Sequence, residues 1–161
     1  MEKYDKIMSK YIGGSNFIMC KASELGKVIV NKCIEKGFSI NTPKIQKLLT
    51  IMQGEHLAKF NKPLFEELIL AWSCGVAIKE VNTDFSNYDS EIKENLQAYI
   101  ILLDSEEEII NMVLNKYGDK DALTINSDYR LVKLVKKYYE ENKSNIIPQD
   151  EIKEVFLNEL Y

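Results

Sequence analysis

The sequence contains one histidine, His56. Of its 21 lysine and arginine residues, twenty are lysine, so Arg130 is the one arginine. Its three cysteines, Cys20, Cys33 and Cys74, are odd in number and far apart, with no C-x-x-C pair. This spacing encodes neither a disulfide framework nor a zinc site. No glycine-rich phosphate-binding loop is present, so nucleotide binding has no local support. We therefore expect reduced, mostly buried thiols, no metal and no cofactor.

Long hydrophobic runs are also missing. The longest aliphatic stretches, such as residues 99 to 103, fall far short of the roughly 20 residues that a membrane span requires. The first ten residues alternate charged and apolar side chains, which is not the pattern of a secretory signal. With 161 residues and a net charge of −4, the chain predicts one cytoplasmic domain whose acidic balance disfavours direct nucleic-acid binding.

Helical periodicity is what the sequence does contain. Apolar residues spaced three and four apart predict helices near residues 4–12, 21–37, 42–60, 92–103, 105–117, 128–141 and from 148 onward. We expect Thr42 to cap the third of these helices, and Ser105 with Glu108 to form a capping box at the start of the fifth. The periodicity weakens between Asn61 and Tyr88. The predicted fold is mainly α, a compact single-domain bundle of about six to eight helices with a small β element around residues 66–78.

His56 falls on the apolar stripe begun by Ile45, Leu48 and Met52. A lone histidine on such a stripe is typical of packing, so we expect His56 to be buried and hydrogen-bonded, with no bound metal. The alternative is a small hydrolase or transferase that pairs His56 with Cys74, because a nucleophile needs an adjacent base.

A second alternative concerns the lysines of the predicted helix at residues 128–141. Lys133, Lys136 and Lys137 lie on one side of this helix. They predict a solvated face, because no aromatic side chains interleave with them for base stacking. A DNA-binding regulator is therefore the weaker hypothesis.

Residues 40 to 85, "INTPKIQKLLTIMQGEHLAKFNKPLFEELILAWSCGVAIKEVNTDF", resemble the Panacea domain family of phage-associated, antitoxin-like proteins. Three motifs occur in the family's order and spacing: Q-K-L-L followed by Q-G, then P-L-F, then A-W-x-x-G. The resemblance implies that the motif positions are mainly structural: Gln46, Lys47, Leu48, Leu49, His56, Pro63, Leu64, Phe65, Trp72 and Gly75.

The sequence departs from the family pattern at three places. Thr50 replaces a tyrosine, Glu55 replaces an aromatic residue, and Val76 replaces a proline after Gly75. The resemblance covers about residues 20 to 157. We therefore expect a Panacea-like domain at 20–161, with residues 1–19 as a helical addition packed on it.

Family members act through protein contacts, and no catalytic centre is established for them. The resemblance therefore implies a protein-binding inhibitor of the antitoxin type that neutralises a toxin by forming a stoichiometric complex, and no enzyme activity. The alternative partner is a host-defence nuclease complex, inhibited by a phage or mobile-element protein of the anti-CRISPR kind. We expect the partner surface in the N-terminal addition and in the segment around Cys74 to Tyr88, where the chain falls outside the family or departs from it, with these binding residues: Trp72, Cys74, Val76, Lys79, Asp84 and Tyr88.

Overall fold

The computed structural model describes residues 19–158, which form seven helices and one two-stranded hairpin. The helices are α1 (Ala22–Lys36), α2 (Thr42–Phe60), α3 (Lys79–Asp84), α4 (Asp104–Tyr117), α5 (Ala122–Asn126), α6 (Tyr129–Tyr138) and α7 (Gln149–Asn158). The strands are β1 (Leu70–Trp72) and β2 (Gly75–Ala77). The predicted mainly α fold is confirmed. The helix predicted at 4–12 and residues 1–18 of the predicted N-terminal addition lie outside the described residues.

Helix α2 forms the centre of the molecule and packs against α1, α3, α4, α5, α7 and β2. Its N-cap is Asn41, whose Oδ1 accepts a hydrogen bond from the Lys44 N–H at 2.9 Å. The prediction that Thr42 is the cap is therefore wrong, because Thr42 is already the first helical residue. The helix ends at Asn61, which takes the left-handed conformation with φ 55°.

Helix α7 packs directly against α2 at Gly54. A Cβ added to Gly54 would lie 2.3 Å from the ring of Phe156, which is fully buried. Glycine is thus a packing requirement here, since any side chain would collide with the aromatic ring. This contact explains why a helix interior contains a residue of low helix propensity.

The chain after α2 is held by Gln53. Its Oε1 accepts from the Leu64 N–H at 2.6 Å, and its Nε2 donates to the Phe65 carbonyl at 2.8 Å. Leu64 and Phe65 are both buried, so their backbone groups need such partners away from water. One motif glutamine therefore fixes the P-L-F segment against the core helix.

The predicted β element is the hairpin of β1 and β2, which pair antiparallel with Trp72 opposite Gly75. The outer edge of β1 is covered by a later segment, because the Ala71 N–H donates to the Asn145 carbonyl and the Ile147 N–H to the Ile69 carbonyl, both at 2.9 Å. This cover blocks further pairing at that edge.

The helix predicted at residues 92–103 is wrong: this stretch is extended and runs along α1. The side chain of Asn31 donates to the Leu96 carbonyl and accepts from the Leu96 N–H, both at 2.7 Å. Glu24 accepts from the Tyr99 N–H at 2.7 Å. The apolar spacing suggested a helix, but polar side chains of α1 satisfy this backbone in an extended form.

The predicted capping box at the start of α4 is also wrong in its residues. Helix α4 begins at Asp104, and the Oε1 of Glu106 accepts from the Leu103 N–H at 2.7 Å. Glu106, rather than Glu108, therefore satisfies the first backbone donor. Glu108 instead forms an exposed ion pair with Lys59 of α2.

Arg130 at the start of α6 lies at the centre of a buried polar network. Its guanidinium donates to Glu55 at 2.6 Å, to Asp128 at 3.2 Å and to the Tyr117 hydroxyl at 2.8 Å. It also stacks over the ring of Phe156 at 4.1 Å. Burial disfavours its charge, but the hydrogen bonds to Asp128 and Glu55 outweigh burial and raise its pKa. The network joins α2, α4, α6 and α7.

Among the helices of residues 19–158, none is both long and apolar enough to cross a membrane.

Candidate functional site

The hairpin faces a cleft of about 590 Å³ between the first half of α2, the loop after α3, and α5. We call this cleft the hairpin pocket, and its lining includes Gln46, Lys47, Trp72, Cys74, Leu123 and Asn126. These residues come from α2, the hairpin and α5, so the pocket forms only when segments distant in sequence pack together.

The floor of the hairpin pocket is fixed by hydrogen bonds from α2. Gln46 Oε1 accepts from the Ile78 N–H at 2.7 Å, which ties the end of the hairpin to the helix. The hydroxyl of Thr42 donates to the Phe85 and Tyr88 carbonyls, each at 3.4 Å, and so holds the loop after α3. The pocket is therefore built on a rigid helix.

The turn of the hairpin needs a glycine. Gly75 has φ +122°, and a Cβ there would lie 2.3 Å from the Oδ1 of Asn126. Both the backbone conformation and the close approach of α5 therefore exclude a side chain. The glycine of the A-W-x-x-G motif brings α5 against the hairpin and closes one side of the pocket.

Lys47 is the unusual group of the hairpin pocket. It is 5% exposed, and its ammonium has no hydrogen-bond or ion-pair partner within residues 19–158. Burial lowers the pKa of Lys47, and the nearby Cys74 partly opposes this shift. Its stem is buried, but the ammonium reaches the water of the pocket, since its nitrogen is not one of the fully buried side-chain atoms that lack a partner among the described residues.

Four of the six predicted binding residues line the hairpin pocket: Trp72, Cys74, Val76 and Tyr88. Trp72 is half-buried and Cys74 is exposed, whereas Val76 is almost fully buried. The hairpin therefore contributes an aromatic side chain and a thiol to the surface, and Val76 contributes mainly to the core.

The other two predicted residues lie elsewhere. Lys79 is exposed at the start of α3 and does not line the pocket. Asp84 faces a separate groove, where it accepts a hydrogen bond from the Ser23 hydroxyl at 2.5 Å. The structure thus divides the predicted surface between two faces of the molecule.

Sequence reasoning did not assign a binding role to the pocket residues of α2 and α5. Lys47 was assigned a structural role with its motif, although a lysine set beside the apolar stripe of a core helix was a usable signal. Leu123, which is 81% exposed, and Asn126 belong to α5. That helix is too short to show periodicity, so no signal in the sequence placed these two residues at the pocket.

His56 is packed and hydrogen-bonded, as predicted: it is 5% exposed, and its Nδ1–H donates to the Lys62 carbonyl at 2.5 Å. Its ring lies 5.0 Å from that of Phe60, and its Nε2 has no partner among the described residues. His56 lines a different cavity, of about 410 Å³.

His56 lies nine residues beyond Lys47 on α2, a rise of about 14 Å. The pairing considered for His56 and Cys74 is therefore not formed.

The lysines considered for DNA binding lie on the outer face of α6. Lys133, Lys136 and Lys137 are exposed, and Lys137 pairs with Glu151 of α7 at 3.0 Å. Arg130 is engaged internally and is not available to bind phosphate or guanine. In the part of the chain that the structure describes, no group of three or more His, Cys, Asp or Glu residues is placed to hold a metal ion.

Comparison with known proteins identifies one family. No curated protein and no solved structure gives a significant match to the chain. The family model described as antitoxin SocA-like, Panacea domain, matches residues 45–129. This range is more than half of the chain and runs from α2 through the hairpin and α5 to the first residue of α6, so it contains every residue used above to define the hairpin pocket. The chain belongs to the antitoxin SocA-like Panacea domain family.

Proposed function

We propose that this protein is a stoichiometric inhibitor of the antitoxin type, which neutralises a toxin by holding it in an inactive complex. The family supports an antitoxin role. The observation that carries the protein-binding mechanism is the hairpin pocket, which lies within the matched range except for Thr42 and Pro43 and combines a polar floor with exposed apolar side chains. On this proposal the protein has no catalytic step, and inhibition is by occupancy.

The composition of the pocket suits a protein partner. Trp72 is half-buried in its wall, and Leu123 stands 81% exposed at its edge. Aromatic side chains at the centre of an interface supply most of the binding energy in many complexes, and neighbouring apolar contacts exclude water. A partner that covers this region in a complex of standard size would bury on the order of 1,600 Å² in total.

A second candidate is inhibition of a host-defence nuclease complex, and the observation that favours it is an acidic groove on another face. Residues from α1, α3 and the loop before the hairpin line this groove, among them Glu24, Glu66, Glu67, Glu80 and Asp84. With a net charge of −4, such a face would complement a basic nucleic-acid channel and raise the association rate.

The test is a titration against the toxin encoded beside this protein, in which residual toxin activity is recorded against molar ratio. We expect inhibition to saturate near equivalence and to be relieved when the two proteins are separated. Inactivation of an excess of toxin by trace amounts would contradict occupancy and would favour the enzyme hypothesis. The same titration with a host nuclease complex distinguishes the second candidate.

A further inference from the structure

Two lysines of α2 are buried to a similar degree, but their surroundings differ. Lys44 is 3% exposed, and its ammonium donates to the carbonyls of Ser39 and Gly118, both at 2.6 Å. Lys47 is 5% exposed and has no such partner among residues 19–158. The backbone of the protein therefore satisfies one charge and leaves the other facing the hairpin pocket.

No hydrogen bond or ion pair within residues 19–158 explains why a lysine occupies position 47. Its stem could be replaced by an apolar side chain of the same length without loss of a hydrogen bond, and such replacements of buried charges are often neutral or stabilising. Residues that break a local rule without a compensating contact are expected at functional sites. The contact that Lys47 lacks is a hydrogen-bond acceptor, because an ammonium group has three donors and no acceptor, and an anionic acceptor would also neutralise its charge.

The groups around Lys47 suit a carboxylate. Gln46, Asn82 and Asn126 carry amide groups into the same pocket, and such groups can donate to a carboxylate oxygen. The acidic residue of the lining, Asp89, is exposed at the rim, and the electrostatic neighbour that affects Lys47 is Cys74. An incoming carboxylate would therefore meet an unpaired cation at the floor of the pocket.

We propose that Lys47 binds the carboxylate of an acidic side chain of the protein partner, which enters the hairpin pocket beside Trp72 while an apolar neighbour packs on Leu123. This inference rests on the proposed function and names the chemistry that the partner must present. It also gives the Q-K-L-L lysine a binding role in addition to its place in a core helix.

The first test uses two short peptides, acetyl-Leu-Glu-amide and acetyl-Leu-Gln-amide, which differ only in the acidic group. Trp72 is the single tryptophan of the chain and lines the pocket, so its fluorescence reports occupancy. We expect a saturable change with the glutamate peptide and at least a 10-fold weaker response with the glutamine peptide. Equal responses to the two peptides would overturn the proposal.

The variant Lys47→Met keeps the length of the stem and removes the charge. We expect it to lose the response to the glutamate peptide by at least 10-fold and to melt at the same temperature as the parent or higher. Lys79→Met is the matched control, since it removes an exposed lysine outside the pocket and should bind like the parent. A Lys47→Met protein that still binds the glutamate peptide as the parent does would overturn the proposal.

A measurement on the unaltered protein does not depend on how the variant folds. In a side-chain NMR titration of lysine Cε and Hε resonances, the glutamate peptide should shift Lys47 and leave Lys44 unchanged. A titration in which Lys47 does not shift would contradict direct contact.

Toxin neutralisation separates this inference from the proposed function. If the parent neutralises at equivalence and Lys47→Met requires at least 10-fold more protein, both are supported. If both proteins neutralise equally, the inhibitor function stands and the role of Lys47 is wrong. If the glutamate peptide binds at Lys47 but the protein inhibits no target, the site stands and the proposed function is wrong.

Discussion

Arg130 and Glu55 form an ion pair of 2.6 Å that joins α6 to α2 across 75 residues of sequence. Glu55 is one of the positions at which the chain departs from the Panacea pattern, where an aromatic residue is often found. The arginine that pairs with it is the only one in the chain. The glutamate that replaces an aromatic residue at position 55 thus pairs with an arginine that lies outside residues 40 to 85.

Removal of Arg130 should be strongly destabilising. Arg130→Met leaves the half-buried carboxylates of Glu55 and Asp128 without their cation, and it also removes the stacking over Phe156. Breaking a buried pair from one side costs about 3 to 5 kcal/mol. Urea denaturation followed by far-ultraviolet circular dichroism measures the change in the free energy of unfolding.

The double variant Glu55→Gln/Arg130→Met is the control for this prediction. If the two side chains interact as the structure shows, the double variant should be more stable than the sum of the two single effects implies. Strict additivity would contradict the coupling between them.

The network also predicts how stability depends on pH. Burial raises the pKa of Asp128, but hydrogen bonds from Arg130 and Tyr117 outweigh burial and hold it below its ordinary value. The stability that Asp128 contributes is therefore present above about pH 4 and is lost as the pH falls through its lowered pKa in the folded state. Burial and the hydrogen bond to Asp128 raise the pKa of Tyr117 to about 12. Its contribution is present below about pH 10 and is lost as the pH rises through 12.

Two conservative variants isolate these effects. Asp128→Asn keeps the helix cap that Asp128 provides to the Arg130 N–H, because asparagine also caps helices, but it removes the titrating group. It should flatten the acid side of a plot of urea midpoint against pH. Tyr117→Phe should flatten the alkaline side. A variant whose curve runs parallel to that of the parent would show that its residue does not titrate in the way described.

The sequence predicted the helices that are long enough to show an apolar stripe, which are α1, α2, α4, α6 and α7. It did not predict α3 and α5, which have six and five residues and cannot show a period of 3.6. The stretch at residues 92–103 carries helical spacing and is nevertheless extended, because its backbone partners are Asn31 and Glu24 of another element. Such long-range hydrogen bonds leave no local signal.

The candidate site was predictable only in part. Trp72 ends β1 and Cys74 lies in the tight turn that follows, so their common location follows from sequence proximity. Lys79 and Asp84 belong to the next element, α3, and neither lines the pocket. Leu123 arrives from α5 through tertiary packing. Proximity along the chain therefore indicated which segment contributes to the pocket, but not which of its residues face the pocket.

Gly54→Ala should destabilise the protein, although alanine favours helices. The added methyl group would lie 2.3 Å from the ring of Phe156, and that ring is fully buried with no room to move aside. Overpacking of this kind costs about 1 to 3 kcal/mol. Thermal unfolding followed by circular dichroism measures the loss as a fall in Tm.

Lys36→Ala is a useful comparison, since it places alanine at an exposed position of another helix and should leave Tm within about 2 °C of the parent. When Phe156 is first replaced by leucine, Gly54→Ala should lower Tm by less than it does in the parent, because leucine leaves room for the methyl group. No difference between parent and Gly54→Ala would contradict the close packing of α2 and α7.

The thiols should divide into one reactive and two protected groups. Cys74 is exposed on the hairpin, whereas Cys20 is 5% exposed and Cys33 is fully buried. Burial raises the pKa of Cys33, which keeps it in the unreactive thiol form. Ellman's reagent should therefore label one thiol rapidly in the native protein and three in urea, and Cys74→Ser should abolish the rapid phase.

A partner bound at the hairpin pocket should slow the reaction of Cys74 with the reagent. Rapid labelling of two thiols in the native state would contradict the packing of α1, and an unchanged rate in the presence of saturating toxin would place the toxin away from the pocket.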